Sequence, residues 1–184
     1  TIIIPWSAID QGPAASPRYT WTYLDQVTAP WRAVHKVVNL VFEGIGEGHG
    51  GEQATPAYVL ATAKTITCPT LDAPTVNPVY WDAGYQQPFR AYEAAVVAHF
   101  ASAAWLGYLR FGIGAGGEDF PTKTIHESAA CRREWQAAGL SPAHWQAFSL
   151  AQLDYQSSLH SVHPLLTSTN QLIGGDNTLA DAVG

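Results

Sequence analysis

Four short apolar runs punctuate the chain, and each gives way to a turn-forming or polar stretch. Ile2-Ile3-Ile4 is β-branched and stops at Pro5. Val37-Val38-Asn39-Leu40-Val41-Phe42 runs into a glycine-rich loop over 43–52, and Leu106 to Phe111 runs into a second one containing Gly112, Gly114, Gly116 and Gly117. His163-Pro164-Leu165-Leu166-Thr167 ends near Asn170. Runs of this length and type predict buried strands over 2–5, 37–42, 106–111 and 164–167. Between them the apolar period lengthens to that of a helix. Leu24, Val27, Trp31 and Val34 share a face after a candidate N-cap at Thr22, with Pro30 placed to kink or split the helix. A short helix is expected over 56–63. A proline-rich surface stretch follows over 69–78, then a long helix over about 85–104 capped by Asp82, with Phe89, Tyr92, Val96, Phe100 and Ala103 on one face. Residues 131–138 read as a helix ended by Gly139. Ser141-Pro142 opens another helix, whose inner face carries Trp145, Phe148 and Leu153, and 176–183 begins a last one.

Strand and helix thus alternate four times, which implies an α/β fold with a parallel sheet. A doubly wound sheet usually carries G-x-G-x-x-G at its first turn, and residues 5–13 lack it. The long polar loops all follow strands, which is the layout of a (β/α)8 TIM barrel. Such a barrel needs about 250 residues, so the expectation is a single partial barrel over 1–184, about half of it present. Its outer strands would have unpaired edges, so it is expected beside the remainder of its own barrel or in an assembly.

Composition narrows the partners. Only 13% of the 184 residues are charged, and the net charge is −6. No basic stripe exists to neutralise phosphates, which argues against nucleic acid. No run approaches the ~18 apolar residues of a membrane span. Seven Trp, eight Tyr and six Phe with so little charge suit a secreted or periplasmic protein handling neutral polar ligands. The chain has no Met and opens on Thr1, which suggests a processed or excised piece. Cys68 and Cys131 form a disulfide in an oxidising compartment, or remain two buried thiols; spacing leaves both open.

The stretch from Leu106 to Pro121 carries the chemistry. A buried strand delivers the carboxylate pair Glu118-Asp119 across a glycine turn that another molecule can approach closely. A solvated turn with two acids is the plainer alternative.

Several segments resemble clan A glycoside hydrolases. Trp6-Ser7-Ala8-Ile9-Asp10 is similar to their W-S-x-I-E-P, with Asp for Glu. Tyr19-Thr20-Trp21-Thr22-Tyr23-Leu24-Asp25 is similar to Y-D-W-x-x-L-D, with Thr for Asp, and His35-Lys36-Val37-Val38-Asn39-Leu40 to G-K-x-V-x-L, with His for Gly. The resemblance implies that 2–5 is the second barrel strand and 106–111 the fourth. In that clan the fourth strand carries the acid/base glutamate, usually as Asn-Glu; Glu118 falls there, preceded by Gly117. Residues 112–121 also resemble the general-acid turn of β-amylases, G-L-G-P-x-G-E-x-x-Y-P. The implied function is hydrolysis of an oligo- or polysaccharide, with Glu118 as general acid/base. The partner carboxylate would lie on a seventh strand outside this chain, so the fragment alone is expected to be inactive. A non-catalytic carbohydrate-binding barrel is the alternative.

Within that reading Trp6 and Trp81 are candidates to stack on sugar rings, against ordinary core or rim packing. Asp10, Glu43 and Asn170 lie past strand ends, where they can hydrogen-bond sugar hydroxyls, and Asp119 joins them. Arg110, inside a strand, must be paired, either holding a carboxylate in place for the site or forming a structural ion pair. Glu43, Glu47, His49 and Glu52 can be imagined around Ca²⁺, but their spacing fits no metal motif. No cofactor is expected. A serine-nucleophile G-x-S-x-G elbow is missing.

Overall fold

The computed structural model describes residues 1–16, 18–46, 53–68, 75–116, 120–122 and 128–167. In chain order the elements are β1 (Ile2–Pro5), a 3-10 turn (Trp6–Ala8), α1 (Thr22–Ala33), β2 (Val38–Glu43), α2 (Ala57–Thr62), β3 (Thr65–Cys68), β4 (Thr75–Pro78), α3 (Ala83–His99), β5 (Leu106–Phe111), α4 (Ala129–Ala137), α5 (Pro142–Ser158) and β6 (Leu165–Leu166). The helix expected over 176–183 lies outside the described residues.

β1, β2, β5 and β6 form one sheet in that order, and every neighbouring pair is parallel. All four predicted strands are therefore present in the predicted orientation. Their order follows the chain without reversal. Right-handed crossovers then put the connecting helices on a single face. One row across the sheet runs Ile2–Leu40–Leu109–Leu165, and the next runs Ile4–Phe42–Phe111. These rows meet the helices: the Phe42 ring lies 6.0 Å from Tyr92 and 6.4 Å from Phe100 at the end of α3. Leu24 of α1 joins the same core, and Trp21 stacks on His99 at 3.8 Å.

Side chains alternate along a strand, so the opposite face carries the row Ile3–Val41–Arg110–Leu166, followed by Pro5 and Glu43. That face is uncovered at its margins, where Ile3 is 53% and Leu166 43% exposed. Among the described residues the sheet is open, with β1 and β6 as its edges.

The helix ends follow their caps. Asp82 accepts from the Gly84 N–H and Ser141 from the His144 N–H, as expected of N-caps. Gly139 takes φ +101° just past α4, where a Cβ is disfavoured. Four expectations need correcting. The N-cap of α1 is Trp21, with Thr22 already helical, and Pro30 sits inside a continuous helix. α3 stops at His99, short of the predicted end; Phe100 leaves the helix yet stays buried. The outer half of the predicted α1 face is not covered: Trp31 and Val34 are 54% and 59% exposed.

The larger departure is a β-hairpin. β3 and β4 pair antiparallel, Thr65 opposite Pro78 and Cys68 opposite Thr75, where a short helix and an irregular proline-rich run were expected to meet. Thr65-Ile66-Thr67-Cys68 alternates exposed and buried, the period of a strand. Cys68 is joined to Cys131 of α4, so the disulfide is the alternative realised. It ties the insertion between β2 and α3 to the insertion between β5 and α5. Its partners stand 63 positions apart, and a closed loop of that size restricts the unfolded chain by up to ~4 kcal/mol. Replacing both cysteines by serine should lower the free energy of unfolding in urea by roughly 2–4 kcal/mol; an unchanged denaturation midpoint would refute it.

α3 and α5 are joined by a buried polar cluster. Glu93, fully buried, accepts from Gln152 Nε2 at 2.6 Å and Gln156 Nε2 at 2.8 Å. Arg90 donates to Gln152 Oε1, and the Tyr155 hydroxyl donates to the Arg90 carbonyl. Burial pushes the Glu93 carboxyl up to about 8, against the pull of the two amides and of Arg90. Burial first, and then the Glu93 carboxylate, raise the Tyr85, Tyr92 and Tyr155 hydroxyls around it. A carboxyl raised in the folded state contributes stability that is complete below its ordinary value of 4.5 and is lost as pH climbs through 8. The melting temperature should therefore fall between about pH 5 and about pH 9, and Glu93→Gln should flatten that slope. Equal slopes for the two proteins would count against this account.

Candidate active site

The carboxyl ends of β1, β2 and β5 lie side by side, and the polar candidates divide between two environments there. The first belongs to β1. The chain turns through Trp6–Ala8 and brings Asp10 back beneath Trp6, whose indole N–H donates to Asp10 Oδ2 at 3.2 Å. Arg18 donates to both carboxylate oxygens at 3.1 Å, the Gly12 N–H to Oδ1 at 3.0 Å, and the Tyr58 hydroxyl to Oδ2 at 2.7 Å. Gly12 has φ +96° with the Tyr58 ring against it, so the turn needs glycine. Burial alone would raise the Asp10 pKa, but Arg18, Tyr58 and the Gly12 N–H outweigh it and hold the carboxyl below its usual range. The Tyr58 hydroxyl is pushed up, by burial first and then by Asp10.

This cluster is closed. Asp10 is 3% exposed and its acceptor capacity is spent inside the protein. Trp6 is fully buried, stacked with Tyr92 at 5.5 Å and edge-on to Phe89 at 5.3 Å. Neither side chain offers a surface for a sugar in this arrangement. Both act instead in fixing the loop after β1, and neither is carried into the site below. Arg18 and Tyr58 escaped sequence reading, since nothing local marks them as partners of Asp10.

The second environment lies over β2 and β5. Glu43 ends β2, half-buried, on the face of the sheet away from the helices. Arg110 pairs in register with Val41, which places it diagonally across from Glu43 on that same face. The loops leaving these strands stay together: Ile45 bridges to Ala115, and the Gly116 N–H donates to the Ile45 carbonyl at 2.8 Å. Glu118 and Asp119 lie outside the described residues, as do Gly117, Asn170, Glu47, His49 and Glu52. Their flanks are described. The Ala115 N–H donates to the Phe120 carbonyl at 3.0 Å, and the Tyr80 hydroxyl to the Pro121 carbonyl at 2.6 Å. A Cβ on Gly114 would run into the Phe120 backbone, so this crossing of the loop requires glycine.

Trp81 stands apart from both. It is half-buried at the start of α3 and lines a cavity of about 470 Å³ between the β3–β4 hairpin and the end of α4. Its indole N–H donates to the Ala138 carbonyl at 3.0 Å, and the His144 ring lies 4.5 Å away. Among the described residues no group of three or more His, Cys, Asp or Glu is arranged to hold a metal ion, and no helix is long and apolar enough to cross a membrane. Compared with known families, curated proteins and solved structures, the chain matches none.

The Asp10 cluster makes a definite demand on stability. A carboxyl lowered by folding contributes stability that is present above its ordinary value of 3.8 and lost as pH falls through the folded value. Asp10→Asn should cost about 2–4 kcal/mol at neutral pH, because Arg18 and Tyr58 lose a charged acceptor. The gap from the parent protein should shrink below about pH 4. Urea denaturation at pH 7 and at pH 3.5 measures it; a gap that widens in acid would show that the carboxylate charge is not what holds the loop.

Proposed function

We propose that this chain is part of a (β/α)8-barrel glycoside hydrolase in which Glu118 is the general acid/base. The observation that carries this reading is the one-directional winding of the sheet. Four parallel strands follow chain order, the described crossover helices cover one face, and Arg110 and Glu43 lie half-buried on the other. A doubly wound sheet reverses its order and covers both faces; a barrel does neither and needs more strands to close. Glu118 and Asp119 follow the β5 strand, on a loop whose flanks are anchored to the β2 loop and to Tyr80.

Glycoside hydrolysis requires a protonated carboxyl at the leaving oxygen and a second carboxylate across the bond. Glu118 takes the first role. The second carboxylate belongs to a later strand of the completed barrel. Glu43, Arg110, Asp119 and Asn170 are assigned to the sugar hydroxyls and to holding the acid, and Trp81 to a sugar ring. The substrate class is an oligo- or polysaccharide. Neither nucleic acid nor a membrane surface is a partner in this reading, and no cofactor takes part. The disulfide supports an oxidising, extracytoplasmic location.

The test is kinetic, in the enzyme that contains this chain. Glu118→Gln should lower kcat by roughly 10²–10⁴-fold on an oligosaccharide, and by less on an aryl glycoside with a good leaving group, which needs little protonation. Asp119→Asn should cost less than Glu118→Gln. If Glu118→Gln leaves turnover unchanged, the acid lies elsewhere. If sugar binds and no variant or condition gives turnover, the non-catalytic carbohydrate-binding barrel is the correct reading.

A further inference from the structure

The cavity beside Trp81 is not at a strand end, yet it is built from the loops that follow two strand ends. Its hairpin wall belongs to the connection between β2 and α3, and its helical wall to the connection between β5 and α5. The Cys68–Cys131 disulfide joins those two walls. Tyr80, the neighbour of Trp81, holds the Pro121 carbonyl just beyond Glu118-Asp119. The cavity is therefore walled by the same two connections that leave the carboxyl ends of β2 and β5.

Its chemistry selects a ligand. The volume of about 470 Å³ falls within the range of small-ligand sites. Ile66 and Val79, both buried, form an apolar floor. Trp81 forms a rigid plate: its N–H is taken by Ala138, and His144 beside it is hydrogen-bonded to the Gly139 carbonyl at 2.9 Å. A plate already fixed loses little entropy when a ligand stacks on it. Lys64 and Asp82 stand on the lining with opposite charges. An ionic ligand would meet one like charge, and a hydrocarbon would satisfy neither. A neutral ring with an apolar face and a rim of hydroxyls uses all three features: its C–H face on Trp81, its hydroxyls donating to Asp82 and accepting from Lys64.

We propose that the Trp81 cavity is a distal subsite for one sugar unit of an extended glycan, so that the substrate is a polymer or long oligomer rather than a disaccharide. This rests on the glycosidase reading above.

The experiment measures binding and turnover separately. Hexasaccharides of β-glucose, α-glucose and β-xylose are titrated into the 184-residue chain, with the indole N–H resonances followed by NMR. The expected result is that one of them shifts the Trp81 resonance. Trp81→Ala should weaken that binding by about tenfold or more, and Lys64→Ala, an exposed change that leaves the core intact, by about three- to tenfold. In the enzyme containing this chain, Trp81→Ala should raise KM for the hexasaccharide and leave a disaccharide or aryl glycoside unaffected. Turnover of glycans with equal KM in the parent, Trp81→Ala and Lys64→Ala proteins would overturn the subsite and leave the glycosidase reading standing. Failure of every glycan both to bind and to be hydrolysed would remove the reading and the subsite together.

Discussion

An aromatic seam between the sheet and α3 holds this molecule together. Phe42 stacks on Phe111 at 5.3 Å across neighbouring strands, and both face α3. Trp6 fills the space above β1 and is surrounded by Tyr85, Phe89 and Tyr92. Large rings bury much apolar area and prefer edge and offset contacts, so a set of them fixes the height and tilt of a helix over a sheet. Gly44 shows how tight the seam is: a Cβ there would press on Phe89 and on the Tyr85 hydroxyl. The position of α3 sets the rest. Its start carries Tyr80 and Trp81 into the loop region, and its flank carries Glu93 to α5.

The second organising element is the pair of insertions above the carboxyl ends. The hairpin and α4 come from different connections, yet Tyr80 stacks on Trp135 at 5.3 Å and the disulfide lies below them, fully buried. The result extends the one hydrophobic core onto the loop side of the sheet, through Tyr80 and Tyr85 at 5.5 Å. It gives rigid walls to a region that in most α/β proteins consists of independent loops.

Much of the sheet was legible because parallel strands buried on both faces read as near-continuous apolar runs closed by glycine, as in Val38–Glu43, where Val41 and Phe42 are both buried. Caps were legible where side chain and geometry agree, at Asp82 and Ser141. The hairpin was missed because its prolines outweighed the alternation of Thr65–Cys68; Pro78 sits at the strand end, where a missing N–H costs little. The site was legible only in part. Strand-end acids mark themselves by position, but Asp10 and Trp6 have their surfaces consumed by Arg18, Tyr58 and the aromatic seam, contacts that reach from Asp10 across 48 positions to Tyr58 and from Trp6 farther still to Tyr92. Long-range pairing of that kind leaves no local trace. Trp81 was named for its ring, while the cavity that gives the ring an open side depends on the hairpin and on α4.

The Glu93 cluster has a directional asymmetry. Arg90 donates to Gln152 Oε1, which forces the Gln152 amide to turn its N–H₂ toward Glu93. Gln156 is under no such constraint; its amide bonds only Glu93. An ionised Glu93 accepts from both amides. A protonated one must instead donate, and the Gln156 amide can rotate end for end to receive that proton on its oxygen. The Glu93–Gln156 bond can thus be kept in either protonation state by reversing its polarity, while the Gln152 bond, held by Arg90, keeps its direction.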